Sequence, residues 1–215
     1  MSLEPGRSVH PSTLSESLLE GPVGAIDVAL NDPGPARRGI ALIAHPHPLQ
    51  GGTRENKVVT SLARAFFSLG YCPIRPNFRG VGRSEGSYDQ GIGETDDLVA
   101  VAGQMRARFG DLPLLLAGFS FGAFVQTRVI RRVSAERLAL IAPAVNRFDA
   151  EPVPADTLVV HGDQDDVVPL AAVLDWARPQ SLPVVVIPGG EHFFHGRLGQ
   201  LQKIVVHWWR GHREA

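Results

Sequence analysis

An α/β fold with a mainly parallel central sheet and helices on both faces is predicted by three observations. Short apolar runs alternate with helix-patterned segments along most of the chain, the signature of crossover units. The runs LPLLLA at 112–117 and LPVVVI at 182–187 have no polar position, as expected of strands covered on both sides. The segment GFSFG at 118–122 joins the first of these runs directly to a helix-like stretch. A strand that turns sharply into a helix holds its central residue, Ser120, in a strained conformation with the hydroxyl clear of the sheet edge.

The elements follow in order. Residues 1–20, rich in Ser, Pro and Glu, read as a flexible N-terminal segment, and 21–215 as one domain. Gly24–Leu30 and Gly39–Ala44 read as strands separated by the turn NDPGP. From Arg54 to Leu69 a helix is predicted, because Val58, Leu62, Ala65, Phe66 and Leu69 recur at helical spacing and Gly70 stops it. Tyr71–Pro76 reads as a strand despite its prolines. Ile92–Phe109 reads as a helix with Leu98, Val101, Met105 and Phe109 on one face. Leu112–Ala117 is the strand before the bend and Phe121–Val133 the helix after it. Arg137–Ala142, Thr157–His161 and Pro183–Ile187 read as strands, Leu170–Ala177 and Leu198–Trp209 as helices.

Net charge is −1, which gives no attraction to nucleic acid or to an anionic membrane. The single cysteine, Cys72, excludes an internal disulfide framework and reads as a core residue. No apolar stretch approaches the roughly 18 residues of a membrane span. The N-terminus carries Glu4, Glu16 and Glu20 and no run of secretory type. A soluble cytoplasmic protein with a small-molecule substrate, and with neither nucleic acid nor membrane as partner, is the expectation.

A serine hydroxyl needs a base, and the base needs a third group to hold its tautomer. In an open parallel sheet such groups gather at the carboxyl ends of the strands. HGDQDDVVP at 161–169 and GGEHFFH at 189–195 both follow predicted strands, so an acid and a histidine are offered in the order Ser, Asp, His. Asp163, Asp165 and Asp166 compete for the acid. The losers would cap the loop or stay solvated. His192 and His195 are both available as base, and His161, at a strand end, reads as a partner for loop carbonyls.

From Gly24 to Trp209 the chain resembles the α/β-hydrolase family, specifically its small serine hydrolases with little or no cap. HPHPLQGG at 45–52, NFRGVGRSEG at 77–86, GFSFG, and HGDQDDVVP with GGEHFFHG carry the resemblance. It implies an α/β-hydrolase fold with Ser120 as nucleophile, Asp165 as acid and His192 as base. It also implies two oxyanion donors: the N–H of Phe121, and one from the HPHP loop. Proline has no N–H, so His47 is the donor between Pro46 and Pro48.

Metal binding by His45 and His47 with Asp165 or His192 is a rival with no stronger signature behind it. No metal or cofactor is therefore expected, and His45 is expected to bond within its loop. NFRGVGRSEG misses the dinucleotide fingerprint by one residue. Its Arg79 and Arg83 would form ion pairs or touch an acidic substrate group, two readings left open. Only about 14 residues separate the strands ending at Ala142 and starting at Thr157, too few for a helical cap. At most a small flap from Ala144–Asp156 or from Glu85–Ile92 is expected. Phe119, Phe121, Phe193 and Phe194 are available to line an apolar pocket, with Phe119 reading as a core residue instead. The resemblance implies a serine hydrolase acting on an ester, thioester or amide. A non-catalytic binding protein, and an acyltransferase or peptidase with the same three residues, are the alternatives.

Overall fold

The computed structural model describes residues 13–211. The flexible segment expected at 1–20 therefore lies outside the described residues as far as 12. Residues 13–20 form most of a strand instead, β1 (Thr13–Gly21), paired antiparallel with β2 (Gly24–Asp32). β1 is the outer strand of the sheet, with Leu14 and Leu18 exposed. An edge strand buries little, so its polar composition resembles that of a coil. The pairing that orders it comes from β2.

Next come β3 (Gly39–Ala44), α1 (Lys57–Ser68), β4 (Tyr71–Pro76), α2 (Ile92–Phe109), β5 (Leu114–Phe119), α3 (Phe121–Val129) and β6 (Arg137–Ile141). β7 (Leu158–Gly162), α4 (Leu170–Ala177), β8 (Val184–Ile187) and α5 (Leu198–Gly211) complete the order. The predicted helix at Arg54 begins later, at Lys57. Asn56 caps it by accepting the Val58 N–H at 2.9 Å, while the Arg54 N–H goes to Asn77 Oδ1. Likewise α3 ends at Val129 rather than Val133.

The strand order is β1-β2-β4-β3-β5-β6-β7-β8. β2 meets β4 antiparallel, and every pair from β4 to β8 is parallel. This is an α/β-hydrolase sheet with helices on both faces. One core lies under α1 and α5, around Phe66, Phe119, Leu201 and Trp209. The other lies under α2 and α3, around Leu98, Phe121, Phe124 and Leu140. β3 to β7 are buried almost throughout, which explains the unbroken apolar runs GIALIA of β3 and LLLAGF of β5. β8 differs: it is the other outer strand, and Val185 and Val186 are exposed. Its apolar run does not mean two-sided cover.

Cys72 is buried in β4 and its thiol is pushed up to about 12 by desolvation, so it stays a neutral core group. Among the described residues no helix is long and apolar enough to cross a membrane. Because β3, β5, β6, β7 and β8 run parallel, the loops that follow them open at one end of the sheet.

Candidate active site

Ser120 stands between β5 and α3 with φ 55° and ψ −117°, a region that side-chain-bearing residues rarely adopt. Its backbone is tied on both sides. The N–H donates to Ile141 O at 2.9 Å, and the carbonyl accepts from Ala123 and Phe124 at 3.0 and 3.2 Å. A Cβ on Gly122 would lie 2.5 Å from Ala44 O and from His45 O, so only glycine lets α3 pack this close to β3. Gln126, fully buried in α3, fastens the same joint by donating to Leu42 O and Ala117 O, each at 3.0 Å. Sequence reasoning did not single it out. A glutamine directly after the apolar stretch FGAFV of that helix was the available signal.

Three side chains meet above this bend. His192 Nε2 lies 3.0 Å from Ser120 Oγ, and its Nδ1 lies 2.7 Å from Asp165 Oδ2. With Nδ1 protonated, the ring donates to the carboxylate and presents a lone pair to the hydroxyl. The other carboxylate oxygen, Oδ1, accepts from Val167 N–H at 2.9 Å and Val168 N–H at 2.7 Å. Burial alone would raise the Asp165 pKa. The hydrogen bonds from His192 and Val168 outweigh it and hold the carboxyl below the ordinary carboxylate range.

The competing residues are placed elsewhere. Asp163 Oδ1 accepts the Gly189 N–H at 2.6 Å and ties the two loops together, while Asp166 is exposed. His195 is exposed and pairs with Glu191 at 2.6 Å. His161 is fully buried, with Nε2 2.8 Å from Val168 O. It does bond a loop carbonyl, as expected from its place at a strand end.

The loop after β3 folds as a short 3-10 turn, Pro48–Gln50, that ends on Gly51 at φ 78°. Neither the His47 nor the Phe121 main-chain N–H is used by another group of the described residues. His45 is buried. Its Nδ1 is 2.7 Å from Pro46 O, and its Nε2 accepts the Phe78 N–H at 2.9 Å. Both ring nitrogens are thereby committed, and desolvation lowers its pKa to about 4. A neutral ring with no free lone pair is not a metal ligand. Among the described residues no group of three His, Cys, Asp or Glu is placed to hold a metal ion.

Arg79 and Arg83 leave the site. Arg79 forms a two-pronged pair with Asp97 at 2.8 Å and 2.8 Å and donates to Gly93 O. Arg83 reaches Asp27 at 2.7 Å. Both are ion-pair residues, which settles the choice the sequence left open.

A pocket of about 110 Å³ opens beside Ser120, lined by His47, Gln50, Asn56, Val167, His192 and Phe193 among others. Of the four phenylalanines considered, only Phe193 lines it. Phe119, Phe121 and Phe194 are fully buried in the cores. Both short segments expected as flaps reach the rim. Tyr88 from one and Phe148 from the other lie 4.9 and 6.0 Å, ring to ring, from His47. Gln50, Asn56 and Val167 were missed as lining residues because their place depends on how the loops run.

Comparison with known proteins adds to this geometry. Residues 47–155 match the family model described as Serine aminopeptidase, S33. The crystal structure of an α/β serine hydrolase without lid from Xanthomonas campestris is 41% identical, with a TM-score of 0.88 over 95% of this chain and 97% of that one. An α/β serine hydrolase homologue from Coxiella burnetii is also 41% identical, with a TM-score of 0.82 over 90% of this chain and 96% of its own. An uncharacterized protein of Rickettsia prowazekii is 32% identical over 86% of this chain and 84% of its own length.

Proposed function

Because this chain belongs to the lidless α/β-hydrolases, in the family described as Serine aminopeptidase, S33, we propose that it is a serine hydrolase that cleaves carboxylic esters through an acyl-enzyme on Ser120. The observation that carries the reading is the hydrogen-bonded line from Ser120 Oγ through His192 to Asp165, at 3.0 and 2.7 Å. Ser120 attacks the carbonyl carbon while His192 Nε2 accepts its proton. Asp165 holds the imidazole in the useful tautomer and stabilises its positive form. The unused N–H groups of His47 and Phe121 receive the oxyanion, each worth on the order of 100- to 1,000-fold in rate. His192 then protonates the leaving group. Water repeats the sequence and releases the acid. No residue in this relay calls for a metal or an organic cofactor.

The choice of ester over free-amine peptide rests on the lining of the pocket. No carboxylate is among its lining residues, so nothing there would pair with a substrate's terminal ammonium. The pocket volume of about 110 Å³ suits a short acyl group. A fluorophosphonate probe tests the reading. Wild type is expected to label and to hydrolyse short phenyl esters, while Ser120→Ala stays folded and does neither. Equal labelling of the variant would remove Ser120 from the mechanism.

A further inference from the structure

Resting on the reading that His192 is the base, we propose that His161 is a positioning residue which orients the Asp165 carboxylate and so holds it in line with His192. His161 is fully exposed to neither solvent nor substrate, lying at 0% exposure near the end of β7. Its Nε2 is 2.8 Å from Val168 O. A carbonyl only accepts, so Nε2 carries the proton. The same Nε2 lies 3.5 Å from Asp165 Oδ2, the very oxygen that faces His192.

The contacts close a ring. Val168 gives its N–H to Asp165 Oδ1 and accepts the His161 Nε2–H hydrogen bond on its carbonyl, while that same Nε2 stands 3.5 Å from Asp165 Oδ2. Rotation of the carboxylate about its own axis would break bonds to Val167 and Val168 and move Oδ2 away from both imidazoles. The remaining nitrogen, His161 Nδ1, is buried without a partner among the described residues. An unpaired buried acceptor is unfavourable, and closing a loop would not by itself require one. A ring that must hold the Val168 carbonyl, and with it the N–H that fixes Asp165 Oδ1, explains it.

The titratable groups that act on His161 are Asp165 and His192. Its strand neighbours Val160 and Val186 are apolar. Burial holds the ring below the usual histidine range, so it supplies a dipole and no second positive charge beside an imidazolium at 192. Without it, the Val168 carbonyl would lose its donor and the Asp165 carboxylate its fixed line to His192.

The test compares His161→Leu, His161→Gln and His161→Asn. The Gln amide nitrogen can reach the position of Nε2, whereas the shorter Asn amide falls near Nδ1. The first readout, independent of turnover, is the low-field proton NMR resonance of the His192 Nδ1–H held by Asp165. We expect it in wild type and Gln and expect it lost or broadened in Leu and Asn. The second is the kinetics on a short phenyl ester, with kcat reduced by up to about 100-fold in Leu, KM within about twofold, and most of the loss restored in Gln. An unchanged resonance in folded Leu or Asn protein, or a Gln variant that matches Asn, would overturn the proposal. If Leu does not fold, the contrast between Gln and Asn decides. Absence of ester turnover in wild type would instead strike the hydrolase reading, which the resonance does not depend on.

Discussion

Gly118 and Gly122 touch across the bend that carries Ser120. A Cβ on Gly118 would overlap the Gly122 carbonyl oxygen, and the Ala123 nitrogen would stand only 2.6 Å away. The strained serine backbone thus depends on bare α-carbons either side of it. Replacing Gly122 by Ala sets a methyl 2.5 Å from two backbone oxygens, and backbone cannot give way as a flexible side chain would. The Gly122→Ala variant is expected to lose about 1–3 kcal/mol of stability or more, read as a lower midpoint in urea unfolding. An unchanged midpoint would mean that α3 sits farther from β3 than described.

The three aspartates of the acid loop should separate in kinetics. Asp165→Asn leaves shape intact but offers His192 the wrong partner, and the expected fall in kcat is on the order of 10,000-fold. Asp166→Asn, at an exposed position, should stay within about threefold of wild type. Asp163→Asn keeps an acceptor for the Gly189 N–H and should cost more stability than rate. A large kinetic loss at 163 with little at 165 would reassign the acid.

Acyl length should matter sharply. A pocket of about 110 Å³ has room for roughly four water-sized volumes. Across p-nitrophenyl esters, kcat/KM should peak between two and four acyl carbons and fall steeply by eight. Phe193 is exposed at the rim, and Phe193→Ala should shift the optimum to longer chains without unfolding the protein. A flat profile would show that the acyl group lies outside this pocket.

His45 makes stability depend on pH. Its pKa falls from 6.5 to about 4 because burial penalises the charged ring. In the unfolded chain the ring binds a proton near pH 6.5, so between about 6.5 and 4 the unfolded state carries more protons. Stability is therefore fully present above pH 6.5 and drains as pH falls through that window, by roughly 2 kcal/mol between pH 7 and 5. His45→Gln should be less stable at pH 7 but show a shallower decline, measured as unfolding free energy in urea at each pH. Parallel declines would place the proton uptake elsewhere.

Most of this site was legible in the chain because its parts sit at strand ends, and strand ends are readable from apolar runs and glycines. GFSFG names its own geometry: the turn demands φ near +55° at Ser120 and no Cβ at Gly118 or Gly122. The Pro–His–Pro spacing of the loop after β3 likewise leaves His47 with the one main-chain N–H between the two prolines. The edges of the sheet were less readable. β1 looked like a coil and β8 like a covered strand, since solvent exposure of an outer strand depends on which neighbour pairs with it and not on its own residues.

What the sequence by itself determined is the alternation of strands and helices, the strained serine and the order of the chemistry-bearing loops, because each follows from local sterics and hydrophobic period. What only the tertiary structure decided is which of several equivalent side chains meet. Asp165 rather than Asp163 faces His192, Arg79 turns to Asp97, Phe193 alone of four rings borders the pocket, and His161 approaches the acid from behind. Those choices are set by distances of a few ångströms between loops far apart in the chain, and no local propensity encodes them.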